Sequence, residues 1–469
     1  MDSRRVFDLA ARIFASDRWN SFDRFHTTTR VLSDALAAGG LVAEVHRLPT
    51  GGAIGNGRWV IHEAADVRSA TLEIVAPFRR LLLDYRQNPW CIVQWSNGSP
   101  PQGLLGTLAV FDRLEDVAAL RPGALEGRIV LTRLPLREAV RPLYEKGARA
   151  ILFDAGVKGL PDATPWLKFG WGSLKADEAY ARPVGLSLSS REGDRLRRWA
   201  AQRGPLTLRV RADVRRYVGD HDVVDARVTG AGDPQDEVWS FAHGAEPGAL
   251  DNASGVAVSA EIAVALEGLI RAGRLPRPRR TIRLLVGYEC YGLFPMLERG
   301  RRLQPPLAGV CVDSLGARAD RCPGGRLCWY ETVPSSAGFV NDVGERLLRA
   351  VLRRERAGYR YARRAFVPTL DTLIADPALG FPCPWISNHG GPYYHSNADT
   401  PEVLSPRGLA VAAAATAAYL YFLADMDARA AAEIAEWQSD LAVADVAAVK
   451  RSDPPDRVEY ILARHRENL

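Results

Sequence analysis

The sequence predicts an α/β fold, a central sheet flanked by helices, on three observations. Short apolar runs rich in β-branched residues alternate with longer stretches of helical apolar spacing, as strands joined through helices do. Four of these runs end in residues of metal-ligand or acid–base type, and ligands of open α/β sheets bind just outside the carboxyl ends of strands. The chain's 469 residues, 47% apolar and 25% charged, suffice for two or three domains around a large core.

The first of the four runs, Val238-Trp-Ser-Phe-Ala242, ends in His243. A Pro/Gly turn then delivers Asp251 to the start of a helix in which Val256, Ala260, Ala263, Val264, Leu266 and Leu269 are helically spaced. A carboxylate is favoured at a helix start by the exposed N–H groups, so Asp251 taken alone reads equally as a cap or a ligand. The second run, Thr281-Ile-Arg-Leu-Leu-Val-Gly287, leads into Tyr288, Glu289 and Cys290. The third, Leu307-Ala-Gly-Val-Cys-Val312, ends in Asp313. The fourth, Cys383-Pro-Trp-Ile-Ser387, is followed by a loop carrying His389, Tyr393, Tyr394, His395 and Asp399. One polar residue after a strand is commonplace; four such ends form a constellation. A catalytic metal needs a few protein ligands, an open position for water and a carboxylate to take that water's proton. His243, Asp251, Asp313 and His395 can supply ligands, which leaves Glu289 as the base.

Composition excludes several other classes. The net charge of +6 is small for this length, and lysine occurs only at Lys146, Lys158, Lys168, Lys175 and Lys450, so arginine supplies nearly all the basic groups. The Arg-rich runs at 277–280 and 353–356 lack interleaved aromatics and read as solvated faces rather than a nucleic-acid groove. The six cysteines have no zinc-finger spacing; Cys322 and Cys328 are near enough to pair, but free thiols are the expectation. The first residues lack the apolar stretch of a secretory signal, and a cytoplasmic, reduced setting is expected. The uncharged run 408–424 follows Ser405-Pro406, a helix cap and first turn, and reads as a buried helix rather than a membrane span.

The string Pro247-Gly-Ala-Leu-Asp251-Asn-Ala-Ser-Gly-Val256, with His243 before it, resembles the core motif of the co-catalytic di-zinc aminopeptidases, the aminopeptidase S and Y family related to glutamate carboxypeptidase and glutaminyl cyclase. Three later motifs resemble that family too: Glu289 before x-x-Gly292-Leu293, Asp313 at the end of the next strand, and Tyr394-His395 before Asp399-Thr400. The resemblance covers about residues 215–425 plus the N-terminal helices. It implies a mixed central sheet flanked by helices, one or two zinc ions, and a peptide or small amide substrate, while composition leads us to expect no nucleic-acid or membrane partner. It also implies that Asp251 bridges two zincs, that His243 and Asp313 complete one site, that His395 serves the other, and that Glu289 is the general base. Carboxypeptidases and aminoacyl cyclases share that fold, and a binding protein on a decayed scaffold is the reading from a different class. The retained set of acids and histidines favours a hydrolase, most of all an aminopeptidase.

Two departures from the family pattern stand out. Most members carry Glu-Glu at the catalytic strand end, the second a zinc ligand; here the pair is Glu289-Cys290. Cys290 is either a thiolate ligand in its place or a small buried residue beside a weakened or empty second metal site, and the sequence also resembles a less studied branch of the family that lacks this second glutamate. Many relatives also read His-x-Asp, the aspartate orienting the histidine; here Gly244 and Ala245 follow, so an orienter comes from elsewhere, Glu246 or Asp376 being candidates. Tyr393 or Tyr394 is an oxyanion donor candidate, and His389 a candidate ligand or substrate contact. His26, His46, His62, His221 and His465 have no strand-end context and read as structural or surface residues.

Four segments are expected: 1–59, the N-terminal part of the peptidase domain; 60–212, an insert; 213–448, the catalytic domain; and 449–469, a tail beginning near a Pro-Pro break. Residues 3–15 and 27–38 read as amphipathic helices and 41–48 as a strand. Within the insert, a strand from Leu125 to Thr132, a helix to Lys146 and Gly147-Ala-Arg-Ala before a further strand resemble the protease-associated domain, whose role would be to border the cleft. Further helices are expected at 337–356, 405–425 and 428–448.

Overall fold

The computed structural model describes residues 1–51, 63–169, 183–289, 292–293, 296, 305–322, 326–336, 338–355, 360–369, 371–376, 381–388 and 391–468. Two sheets organise them. After β1 (Ala43–Pro49), the chain leaves the first sheet and builds the second from β2 (Ala64–Ala76), β3 (Arg80–Asp84), β4 (Leu104–Val110), β5 (Arg128–Thr132), β6 (Ala150–Phe153), β7 (Val184–Ser187) and β8 (Thr207–Tyr217). It then returns to the first sheet with β9 (Asp220–Val228), β10 (Glu237–His243), β11 (Thr281–Gly287), β12 (Gly309–Val312), β13 (Leu327–Tyr330), β14 (Tyr361–Arg364) and β15 (Trp385–Ser387).

The larger sheet runs β1-β9-β11-β10-β12-β15-β13-β14. Its centre, β11-β10-β12-β15, is parallel, while β9 joins β11 antiparallel and β13 joins β15 antiparallel, so the sheet is mixed. Every residue of β10 and β11 is buried, as a strand covered on both faces must be. One face carries Val238, Ala242, Ile282, Leu284 and Val286 into a core shared with the helices Ser3–Asp17, Phe22–Ala38, Ala253–Arg271 and Pro406–Asp425. The other carries Trp239, Phe241 and Leu285 against Phe381 and Trp385. Alternation along each strand thus feeds two separate cores.

The second sheet runs β3-β2-β8-β4-β5-β6-β7, antiparallel from β3 to β4 and parallel from β4 to β7. The long pairing of β2 with β8 brings both ends of this unit together beside the first sheet, which is how an insertion leaves and re-enters a host fold.

Helix ends follow their caps. Asp2 accepts from the N–H groups of Arg4 and Arg5 to start Ser3–Asp17, and Asn252 accepts from Gly255 N–H to start Ala253–Arg271. The second helix spans Phe22–Ala38, earlier than the expected 27–38, because Phe22, Phe25, Thr29, Leu32 and Leu36 share its buried face and the polar His26-Thr27 pair lies within it rather than before it. Ala253–Arg271 and Pro406–Asp425 are long and apolar enough to cross a membrane, yet most of each is packed inside the protein, the mark of core helices. Near the C-terminus, Arg457–Asn468 docks on Ala428–Ala447 through buried Ile461 and a 2.9 Å contact between His465 Nε2 and Asp445 Oδ2. Cys322 and Cys328 are free and buried.

Candidate metal centre

The parallel register explains why the site forms where it does. His243 ends β10 level with Gly287 of β11, and Phe241 lies level with Cys311 of β12, so the residues following these strands emerge along one sheet edge. Glu289 comes two residues after β11 and Asp313 directly after β12. Asp251 reaches the same edge from the turn before Ala253–Arg271. Asp399 fixes that turn: its two carboxylate oxygens accept from Leu250 N–H (2.8 Å) and Asp251 N–H (3.0 Å). Asn252 holds the turn to the next strand by donating to the Val312 carbonyl and accepting from Ser314 N–H.

Asp251 presents its oxygens to two different histidines. Oδ1 lies 3.7 Å from His243 Nε2, and Oδ2 lies 3.2 Å from His395 Nε2. His243 Nε2 also lies 3.6 Å from Asp313 Oδ1 and 3.3 Å from Asp371 Oδ1. Ligand-capable atoms converge within 4.8 Å of one another in three sets here: His243, Asp251 and Asp313; His243, Glu289 and Asp371; and Glu246, Asp251 and His395. Five residues singled out from sequence, His243, Asp251, Glu289, Asp313 and His395, are therefore neighbours.

The electrostatics of the cluster follow from burial and from the crowding of its acids. Burial, reinforced by Asp313, raises Asp251 well above the usual carboxylate range. Burial likewise pushes Glu246, Glu289, Asp371 and Asp399 up to about 7. For Glu289 the Lys168 ammonium opposes that rise. Burial alone would depress His243, but Asp371, Asp313 and Glu246 overcome it and raise the imidazole well above its ordinary value. Buried carboxylates facing one another with this little positive charge are the donor set that a divalent cation balances, and imidazole with carboxylate suits zinc. Glu289 and His395 also occupy the left-handed backbone region, at φ 42° and 51°, a strain that concentrates at functional sites.

Several participants carried no strand-end signal. Lys168, from the segment between β6 and β7, is buried with Nζ 2.9 Å from Glu246 Oε1, 3.5 Å from Glu289 Oε2 and 3.9 Å from the Trp166 ring centre. The same segment docks on the His395 loop: Trp166 N–H donates to the His395 carbonyl (2.8 Å), and Thr164 and Asn397 exchange hydrogen bonds. Asp371 begins a short 3-10 helix, Asp371–Ala375. Glu246, considered from sequence as an orienter of His243, instead faces His395, with Oε2 3.8 Å from its Nε2. Asp17 is the acid beside the His243–Ala245 turn, accepting from Ala245 N–H at 3.1 Å. The Tyr394 ring stacks on His395 at 3.7 Å, whereas Tyr393 packs against the main core and its carbonyl accepts from Ser396 Oγ. Cys290 and His389 lie outside the described residues. Of the remaining histidines, His26 Nδ1 contacts Asp222 (2.8 Å), His46 Nε2 contacts Asp225 (3.4 Å) and His221 is buried; His62 lies outside the described residues.

No protein-family model matches this sequence, and no curated protein matches it. Solved structures do share its fold. A putative peptidase from Clostridium acetobutylicum superposes with TM-score 0.64 at 15% identity, covering 100% of this chain and 96% of that one. A peptidase M28 precursor from Shewanella amazonensis superposes with TM-score 0.62 at 17% identity, covering 91% and 95%. A zinc aminopeptidase from Bacillus subtilis gives TM-score 0.63 at 14% identity, covering 91% and 96%. Each match spans nearly the whole of both chains, so the likeness is one of overall fold.

Proposed function

We propose that this chain is a zinc-dependent hydrolase of peptide or small amide bonds, an aminopeptidase being the favoured form. The observation that carries the reading is Asp251, whose two oxygens face two histidines, each within a separate cluster of acids, with Glu289 beside them. The likeness of fold to proteins described as peptidases and as a zinc aminopeptidase supports the same class.

His243, Asp251 and Asp313 would hold one zinc, and His395 with Asp251 would contribute to a second position. When bound, zinc would bring a water's pKa near neutrality and polarise the scissile carbonyl. Glu289 supplies the base. Its carboxylate takes a proton from the attacking water and returns it to the departing amine, and its burial suits a group working near neutral pH. The Lys168 ammonium, 3.5 Å from Glu289 Oε2, orients that carboxylate. Trp166 and Lys168 reach the cluster from the segment between β6 and β7 of the second sheet's unit, which fits a protease-associated-like role for that unit in limiting substrate length.

The test is hydrolysis of a panel of aminoacyl amides and short peptides by the zinc-loaded protein and by Glu289→Gln. Cleavage by the wild type that is lost in a variant with normal zinc content supports the reading. An undiminished rate in Glu289→Gln removes the proposed base.

A further inference from the structure

Glu246 lies three residues after His243, in the turn between β10 and the helix Ala253–Arg271, and is buried. Its two oxygens have different neighbours. Oε1 sits 2.9 Å from Lys168 Nζ, while Oε2 points toward His395 Nε2 at 3.8 Å. That imidazole nitrogen is also 3.2 Å from Asp251 Oδ2, and ligand-capable atoms of Glu246, Asp251 and His395 all lie within 4.8 Å of one another.

We propose that Glu246 is the third protein ligand of the zinc position served by His395 and Asp251, in place of the residue that follows the catalytic glutamate, with Lys168 as its positioning residue. This rests on the zinc-hydrolase reading of the cluster. One imidazole and two carboxylates form a zinc donor set that leaves a fourth position open, as a catalytic site requires. With the Lys168 ammonium offsetting one of the two buried carboxylates and the imidazole neutral, as a ligand must be, one negative charge is left for a cation to balance. Lys168 contributes what outer partners of metal-binding carboxylates supply: it holds one oxygen, fixes the plane of the group and leaves the other oxygen directed inward. Lys168 belongs to the second sheet's unit, so that unit completes the site rather than merely bordering it. The departure at Cys290 then costs no ligand, because the carboxylate has moved from the β11 end to the β10 turn.

The experiment measures zinc per chain and zinc affinity on the full-length protein, stripped and then reloaded with zinc. The wild type should bind about two zincs, Cys290→Ser about two, and Glu246→Gln and His395→Gln about one each. The double variant Glu246→Gln/His395→Gln should also hold about one, since both residues serve one position. Gln keeps the size of Glu and can still accept from Lys168, and the thermal melt of the metal-free variant checks folding. Lys168→Met should weaken only the position lost in His395→Gln, by roughly ten- to hundredfold, and Lys168→Arg should recover part of that loss; this pair reads the same position if Glu246→Gln fails to fold. Wild-type zinc binding in Glu246→Gln, a zinc lost in Cys290→Ser, or a wild-type chain holding no zinc would each overturn the assignment. Loss of zinc in Glu246→Gln, from a wild type that cleaves no amide, would uphold the ligand and reject the hydrolase.

Discussion

At the scale of single residues the site is a problem of unbalanced charge. Burial presses Asp251, Glu246, Glu289 and Asp371 toward protonation, and Lys168 is the ammonium set between two of them. Under the proposed hydrolase function, Glu289→Gln removes the proton acceptor without removing volume, so turnover should fall by about 10²–10⁴-fold while zinc content stays unchanged. Steady-state rates set beside elemental analysis check this; a joint loss of zinc and activity would make Glu289 a ligand rather than a base. His243, Asp251, Glu289, Asp313 and His395 were readable from sequence because each follows an apolar run or sits in a recognisable motif. Lys168 and Asp371 were not, since neither stands at a strand end and no periodicity marks them. Glu246 had a signal, an acid three residues after the strand-end His243 within one tight turn, but its direction depends on how that turn folds.

At the scale of elements, the turn between β10 and the helix Ala253–Arg271 is the most constrained piece. A Cβ added at Gly248 would lie 2.3 Å from both the Asp251 carbonyl oxygen and Asp399 Oδ2, so Gly248→Ala must displace the hydrogen bonds that aim Asp251. A loss of about 1–3 kcal/mol in stability, with weaker zinc binding, is expected from a thermal melt and a zinc titration. Gly268, in the same helix, has nothing within 4 Å of the place an added methyl would take, and Gly268→Ala should instead stabilise by about 0.5–1 kcal/mol. The docking of the segment after β6 on the His395 loop is a second element-scale feature. Asn397→Ala removes the acceptor for Thr164 N–H, and about 1 kcal/mol of docking should be lost, seen as faster amide exchange around Trp166. Exchange as slow as in the wild type would show that the remaining contacts, Trp166 N–H on the His395 carbonyl among them, hold the two units together unaided.

At the scale of the whole molecule, the sheet edge distant from the site is fastened by ions. Arg283 on β11 reaches Asp225 on β9 at 2.6 Å and Glu237 on β10 at 3.3 Å, all nearly buried. Burial would raise Asp225, but the hydrogen bonds and charge of Arg283, with Arg227, outweigh it and hold the carboxyl below 3.8. Asp222, paired with His26 and Thr29, is lowered in the same way. Because the folded values lie below the unfolded one, the unfolded chain takes up these protons first as pH falls. Their contribution is complete above about pH 4 and is lost as pH drops through the folded values. Acid unfolding should therefore begin near that pH, and Asp225→Asn should flatten this part of the profile. That variant leaves Arg283 buried with only Glu237, so a cost of about 3 kcal/mol is expected from denaturant unfolding at neutral pH. A change under 1 kcal/mol would mean that Glu237 alone satisfies the guanidinium.

The α/β class, the order of the four strand ends and the five residues they deliver are legible in the amino-acid order, because strand alternation and helix caps are local and a strand's last residue is written next to it. It also exposed the departures at Gly244, Ala245 and Cys290. What it left open is the identity of the groups that arrive from far along the chain. Folding set Lys168 of the second sheet's unit against Glu246 and Glu289, brought Asp371 to His243, and turned one oxygen of Glu246 toward His395. Those contacts depend on the registers of separate sheets and on how two packed units meet, and a one-dimensional pattern carries the period of a strand but not the place where two units touch.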